Sequence, residues 1–230
     1  MTFSAEDYRL SVDDYDRSWS VTDNTLYSLC RSHPDHRDQA SVNAKLWIIG
    51  RTYATGIERK IPSTGTQGGS MSKLAGHLRE HARGLDGLFK RLPSARQPLS
   101  PAALNTILDV HGRFIALIQP VLRPNQSPRS FASKYMHFHC PAVPIIDTYA
   151  QRACRRMIRW QNDFCLFDLP ARADEDYAWH VFRFWQLYQQ AWAAGVQPTV
   201  KHLDHYLLWS EERASSGKTG SSRRRQGGQA

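Results

Sequence analysis

The chain has 230 residues, 41% hydrophobic and 11% aromatic, with a formal charge of +9. That length accommodates one sizeable domain, or two small lobes sharing a cleft, around a well-buried core. No apolar run approaches the roughly 18 residues of a membrane span, and the acidic N-terminus lacks the apolar stretch of a secretory signal, so a cytoplasmic protein without a membrane partner is expected.

The four cysteines, Cys30, Cys140, Cys154 and Cys165, form no CxxC pair and no dense framework, which fits a reduced compartment. The basic excess favours an anionic partner, nucleic acid before acidic membrane. It is unevenly placed: residues 123–159 carry seven Lys/Arg against the single acid Asp147, a net +6. A solvated basic helix face is the plainer explanation of such a run.

In chain order, residues 1–23 hold six acids against two arginines and read as a partly ordered acidic leader. Helical spacing begins at 25–31 and returns over 38–57, where Ala40, Ala44, Trp47, Ile48 and Arg51 recur at steps of three and four; Trp47-Ile-Ile also suits a short buried strand. The segment PSTGTQGGS at 62–70 is a loop by composition. A helix is predicted over 71–92, a linker over 93–101 with a helix start at Ser100-Pro101, and a helix over 102–118 ended by Pro120 and Pro124. Further helices are predicted over 147–159, 174–194 and 199–213. The Gly/Ser/Arg-rich tail at 214–230 is expected to be disordered. The fold class is mainly α, with the helical domain spanning 24–213.

The stretch SPRSFASKYMHFHCPAVPIIDTYA at 127–150 concentrates the chemistry-bearing residues. A proline-bounded apolar run, Val143-Pro-Ile-Ile146, delivers Asp147 to a helix start, where the helix dipole favours an ionised carboxylate. Such a group can stabilise developing positive charge or activate a nucleophile; equally, Asp is a common N-cap. Lys134 lies one helix earlier among Phe131, Ala132, Tyr135, Met136 and Phe138. A lysine in apolar surroundings can act as an amine nucleophile, although lysines that snorkel over aromatics are commoner.

Three short motifs point elsewhere. His77-Leu-Arg-Glu-His81 matches the H-x-x-E-H string, with two histidines able to share a metal, but its Gly-flanked, Arg-rich segment reads as an exposed surface helix. His137-Phe-His139-Cys140 fits a helix end entering a turn. Gly217-Lys-Thr219 lacks the earlier glycine and the strand of a phosphate-binding loop. No metal and no cofactor are expected.

Val143-Pro-Ile-Ile-Asp147-Thr-Tyr-Ala-Gln-Arg152 resembles the VPVDTHV-R segment of helix-hairpin-helix DNA glycosylases, in which that aspartate is the catalytic acid group. Phe131-Ala-Ser-Lys134 is similar to the lysine-bearing segment of the archaeal 8-oxoguanine glycosylase branch. The resemblance covers about 30 of the 230 residues. It departs from the family at the L-P-G-V-G hairpin, whose place is taken by Arg123-Pro-Asn-Gln-Ser-Pro128, and in its shorter lysine-to-aspartate spacing.

The resemblance implies a two-lobed, degenerate helix-hairpin-helix domain that flips a modified base into a cleft, with Asp147 and Lys134 catalytic. It also implies hydrolysis of an N-glycosidic bond, with strand cleavage (AP-lyase chemistry) if Lys134 forms a Schiff base. The expected partner of this monomer is double-stranded DNA carrying a modified base. That base is either a modified cytosine, such as glucosylated hydroxymethylcytosine in phage DNA, in an antiviral role, or an oxidised purine, in repair. Candidate base-pocket residues are Arg51, Tyr53, Glu58, His137 and His139. Candidate DNA-binding residues are Asn125, Gln126, Ser127, Arg129, Ser130, Arg152, Arg155 and Arg156. The competing expectation is a noncatalytic helical nucleic-acid-binding protein using the same basic stretch.

Overall fold

Five short polar residues with extended backbone, Ser4, Asp38, Ser100, Asp147 and Asp174, each cap a helix by accepting a backbone N–H, which satisfies a donor the helix itself leaves orphaned. The computed structural model describes residues 3–63, 65, 69–94, 98–158 and 169–223, and these contain helices and no strand. In order they are α1 (Ala5–Ser18), α2 (Ser20–Ser32), α3 (Gln39–Trp47), α4 (Ile57–Lys60), α5 (Gly69–Glu80), α6 (Ala82–Phe89), α7 (Pro101–Ile118), α8 (Arg129–His139), α9 (Thr148–Met157), α10 (Glu175–Ala193) and α11 (Val200–Arg223). No described helix is long and apolar enough to cross a membrane. Arg159 and Cys165 lie outside the described residues, as does the end of the tail beyond Arg223.

Within the segment read as a partly ordered acidic leader, residues 5–18 are helical, and Tyr8, Ser11 and Tyr15 are buried from one face. α1 packs on α11, which also packs on α9, while α10 covers α9. The remaining helices assemble around α3 on α5 and α6 on α7, and α8 touches both α2 and α7. Buried residues from both groups join one apolar core. At Gly112 of α7 the Arg172 carbonyl oxygen lies 1.8 Å from where a Cβ would be, so only glycine lets the turn before α10 seat against α7.

Three predicted helices have different ends. The 38–57 segment is no strand; α3 passes into a π-turn at Ile48–Thr52 and then a turn with left-handed Ala54 and Gly56. The 71–92 segment breaks at His81. α11 runs on to Arg223, past the predicted end at 213 and into the sequence expected to be disordered.

Candidate functional site

Without a sheet to supply hydrogen bonds, the extended run before Asp147 needs other partners for its buried backbone groups. Four side chains provide them. His137 Nδ1 donates to the Val143 carbonyl at 2.7 Å, Tyr177 Oη to Pro144 at 2.7 Å, and His180 Nε2 to Ile145 at 2.7 Å. Ser133 Oγ accepts from the Ile146 N–H at 3.2 Å. α8 and α10 therefore hold the run from both sides, and Asp147 emerges at the start of α9 in a fixed position.

There Asp147 Oδ1 accepts the Ala150 N–H at 2.9 Å, and Oδ2 lies 3.2 Å from Lys134 Nζ. The Lys134 side chain is 8% exposed and that of Asp147 21%. Lys134 Nζ also donates to the Tyr53 carbonyl at 3.1 Å. That carbonyl directly follows the π-turn; a wide turn of this kind disrupts the regular ladder, a feature frequent at functional sites. The two residues singled out from the sequence thus meet, and Tyr53 joins them. Of the three, Asp147 lines a cavity of about 180 Å³, with Lys60, Ser127, Arg129, Ser130, Ile146, Thr148 and Gln151, while Lys134 and Tyr53 lie behind that carboxylate and outside the lining.

Behind the pair lies a charged cluster from the two ends of the chain. Lys201 Nζ, on α11, is 3.2 Å from Asp23 Oδ2 and 3.4 Å from Asp204 Oδ2. Tyr15 and Tyr53 both donate their hydroxyls to the fully buried Asp23. Tyr53 therefore links the two groups, its carbonyl on Lys134 and its hydroxyl on Asp23. Burial alone would lower the Lys201 pKa, but the attraction of Asp204 and Asp23 outweighs it and raises the value. Burial, opposed by Lys201 and reinforced by the Asp147 charge, pushes the Asp204 carboxyl up to about 6. Its Oδ1 has no hydrogen-bond partner.

The chain matches no protein-family model, no curated protein and no solved structure.

Other predicted residues lie elsewhere. Arg51 and Glu58 pair with each other at 2.8 Å, on a shallow depression that Gly50, Ala54, Gly56 and Arg59 complete. His137 is fully buried: its Nε2 accepts the Tyr27 hydroxyl at 2.5 Å, and burial lowers its pKa to about 3. It acts as a spacer beneath the run and does not line the cavity. His139 stacks on His36 at 5.0 Å, against Phe89 and Tyr135, inside the aromatic core. Burial holds it neutral, well below the usual histidine value.

The expected phosphate contacts divide in two. Arg129 is held by Asp174 at 2.5 Å and Asp176 at 2.9 Å, and Arg156 by Glu211 and the Ser210 carbonyl. Ser130 borders the cavity beside Arg129. Asn125, with a left-handed φ of 60°, and Gln126 and Ser127 are exposed ahead of α8. Arg152, which sits 5.9 Å over the exposed Tyr149 ring, and Arg155 are exposed on α9. The sequence reading missed Lys60, whose ammonium donates to the Ser127 carbonyl at the cavity mouth. It also missed Asp23, Lys201 and Asp204, because nothing local distinguishes a buried charge from a surface one.

Proposed function

We propose that the chain is a DNA glycosylase, with the cavity at Asp147 as the reaction site. The observation that carries this reading is the contact between Lys134 and Asp147, a lysine and a carboxylate 3.2 Å apart, the carboxylate lining a cavity that Lys60 and Arg129 also line and the lysine buried directly behind it. Lys60 and the exposed Arg152 and Arg155 supply positive charge for the phosphate backbone, and the exposed 125–127 turn supplies donors. The cavity is smaller than the roughly 300 Å³ at which ligand pockets usually begin. A flipped nucleotide therefore enters by displacing the Lys60 contact with Ser127, which closes one side.

In this reading the amine of Lys134 attacks the anomeric carbon of the extruded nucleotide. The N–C1′ bond forms as the glycosidic bond breaks, and the base leaves with the bonding electron pair. Before attack Lys134 gives its ammonium proton to Asp147 Oδ2, already beside the nitrogen, which frees the lone pair; Asp147 passes that proton to the departing base and, ionised again, stabilises the oxocarbenium-like charge. Opening of the sugar ring then gives an imine to Lys134, the species that leads to strand cleavage. If a water molecule attacks in place of Lys134, Asp147 orients it and the reaction ends at base release.

A second reading is a noncatalytic helical nucleic-acid-binding protein. It is favoured by the engagement of both Asp147 oxygens, one in the helix cap and one with Lys134. Base release from duplexes carrying glucosylated hydroxymethylcytosine or oxidised purines separates the two. The enzyme reading requires release of one such base, with a borohydride-trapped adduct if Lys134 is the nucleophile. Binding without release of any base supports the second reading.

A further inference from the structure

We infer that the end of α5 carries a binding site for a first-row divalent cation, zinc in the first instance, built from His77, Glu80 and His81. A ring nitrogen of each histidine and a carboxylate oxygen of Glu80 all lie within 4.8 Å of one another. The two rings are 4.4 Å apart. Counting from the sequence gave this segment two ligands; the geometry adds the glutamate, on the same turn, as the third.

The hydrogen bonds around the two rings set the chemistry. His77 Nε2 lies 2.7 Å from the Leu117 carbonyl, and His81 Nδ1 lies 3.0 Å from the His77 carbonyl. A carbonyl only accepts, so each of these nitrogens carries the proton. The lone pairs are left on His77 Nδ1 and His81 Nε2. Imidazole N–H groups held by backbone carbonyls are the usual outer partners of metal-bound histidines, fixing tautomer and ring orientation. Leu74 and Leu78 are fully buried to either side of His77, and the bond to Leu117 ties that ring to the end of α7. Glu80 and His81 are exposed.

Bonds of about 2.0–2.1 Å from a tetrahedral zinc place its donors about 3.3 Å apart, so the three donors, now within 4.8 Å of one another, close on the ion by rotation of the exposed Glu80 and a small shift of the His81 ring that keeps its carbonyl bond. Two imidazoles and one carboxylate suit zinc better than calcium or magnesium, which prefer all-oxygen shells. One position remains open to water. His81 lies between α5 and α6, and a bound ion would brace that junction.

The test is titration of the full, chelator-treated chain with Zn²⁺, followed by calorimetry and thermal melting, with Co²⁺ as a spectroscopic probe of coordination. Binding of one ion per chain is expected, with a raised melting temperature and a tetrahedral Co²⁺ spectrum. His81→Ala should weaken binding by about tenfold or more, and Glu80→Gln should weaken it measurably. Both residues are exposed, so the variants should keep the wild-type melting temperature without metal. Absence of one-to-one binding, or affinity unchanged in both variants, would overturn the proposal.

Discussion

Replacing Lys201 with methionine keeps much of the aliphatic stem and removes the cation lodged between Asp23 and Asp204. At 3.2 and 3.4 Å, each charge pair is worth about 5 kcal/mol gross at an effective dielectric of about 20. Desolvation of the ions offsets much of that. Removing one partner, however, leaves buried carboxylates uncompensated, at a cost of about 3–5 kcal/mol. For a chain of this size that corresponds to a fall in Tm of about 10 °C.

The deficit should depend on pH. With Lys201 gone, the Asp204 carboxyl, already raised to about 6 by burial, loses the charge that opposes that rise, so the native state binds a proton more tightly than the unfolded chain. Stability is then highest in acid and is lost as pH rises through the raised value. Urea denaturation at about pH 5 and about pH 7.5 should show a larger Lys201→Met deficit at the higher pH. A deficit below about 1 kcal/mol, the level of a surface pair, or one independent of pH, would refute the reasoning.

Asp204→Asn should be tolerated at neutral pH, because Lys201 keeps Asp23 as a partner. The wild-type Asp204 pKa of about 6 lies above the ordinary 3.8, so the wild type should lose stability as pH rises through that interval. Urea midpoints measured across it should fall less in the asparagine variant, and an unchanged slope would count against a titrating Asp204. Gly112→Ala drives a methyl group into the Arg172 carbonyl and should cost about 1–3 kcal/mol in chemical denaturation. Gly84→Ala, on a helix with nothing within 4 Å of the new methyl, should instead stabilise by about 0.5–1 kcal/mol.

The sequence was most legible where structure is local. Ser100-Pro101 starts α7 as predicted, and the 143–147 run ends in a helix cap at Asp147. α1 was hidden by its six-acid surroundings, although Tyr8, Ser11 and Tyr15 already recur at steps of three and four. The supports of the 143–146 run could not be read from their own neighbourhood. Tyr177 and His180 belong to a distant helix, and an ordinary amphipathic pattern accounts for their positions equally well. The same holds for the cluster of Asp23, Lys201 and Asp204, whose members meet only after α11 folds back over α1. His137 and His139 looked accessible because they flank a helix end, but α8 is buried on nearly every side.

The central claim rests on Asp147, and its most direct test is single-turnover base release by wild type and Asp147→Asn on the same modified duplex. Asparagine can keep the cap on the Ala150 N–H while removing the negative charge beside Lys134. The expected result is loss of base release by about a hundredfold or more with DNA affinity retained. Base release by the asparagine variant at the wild-type rate would contradict a catalytic Asp147.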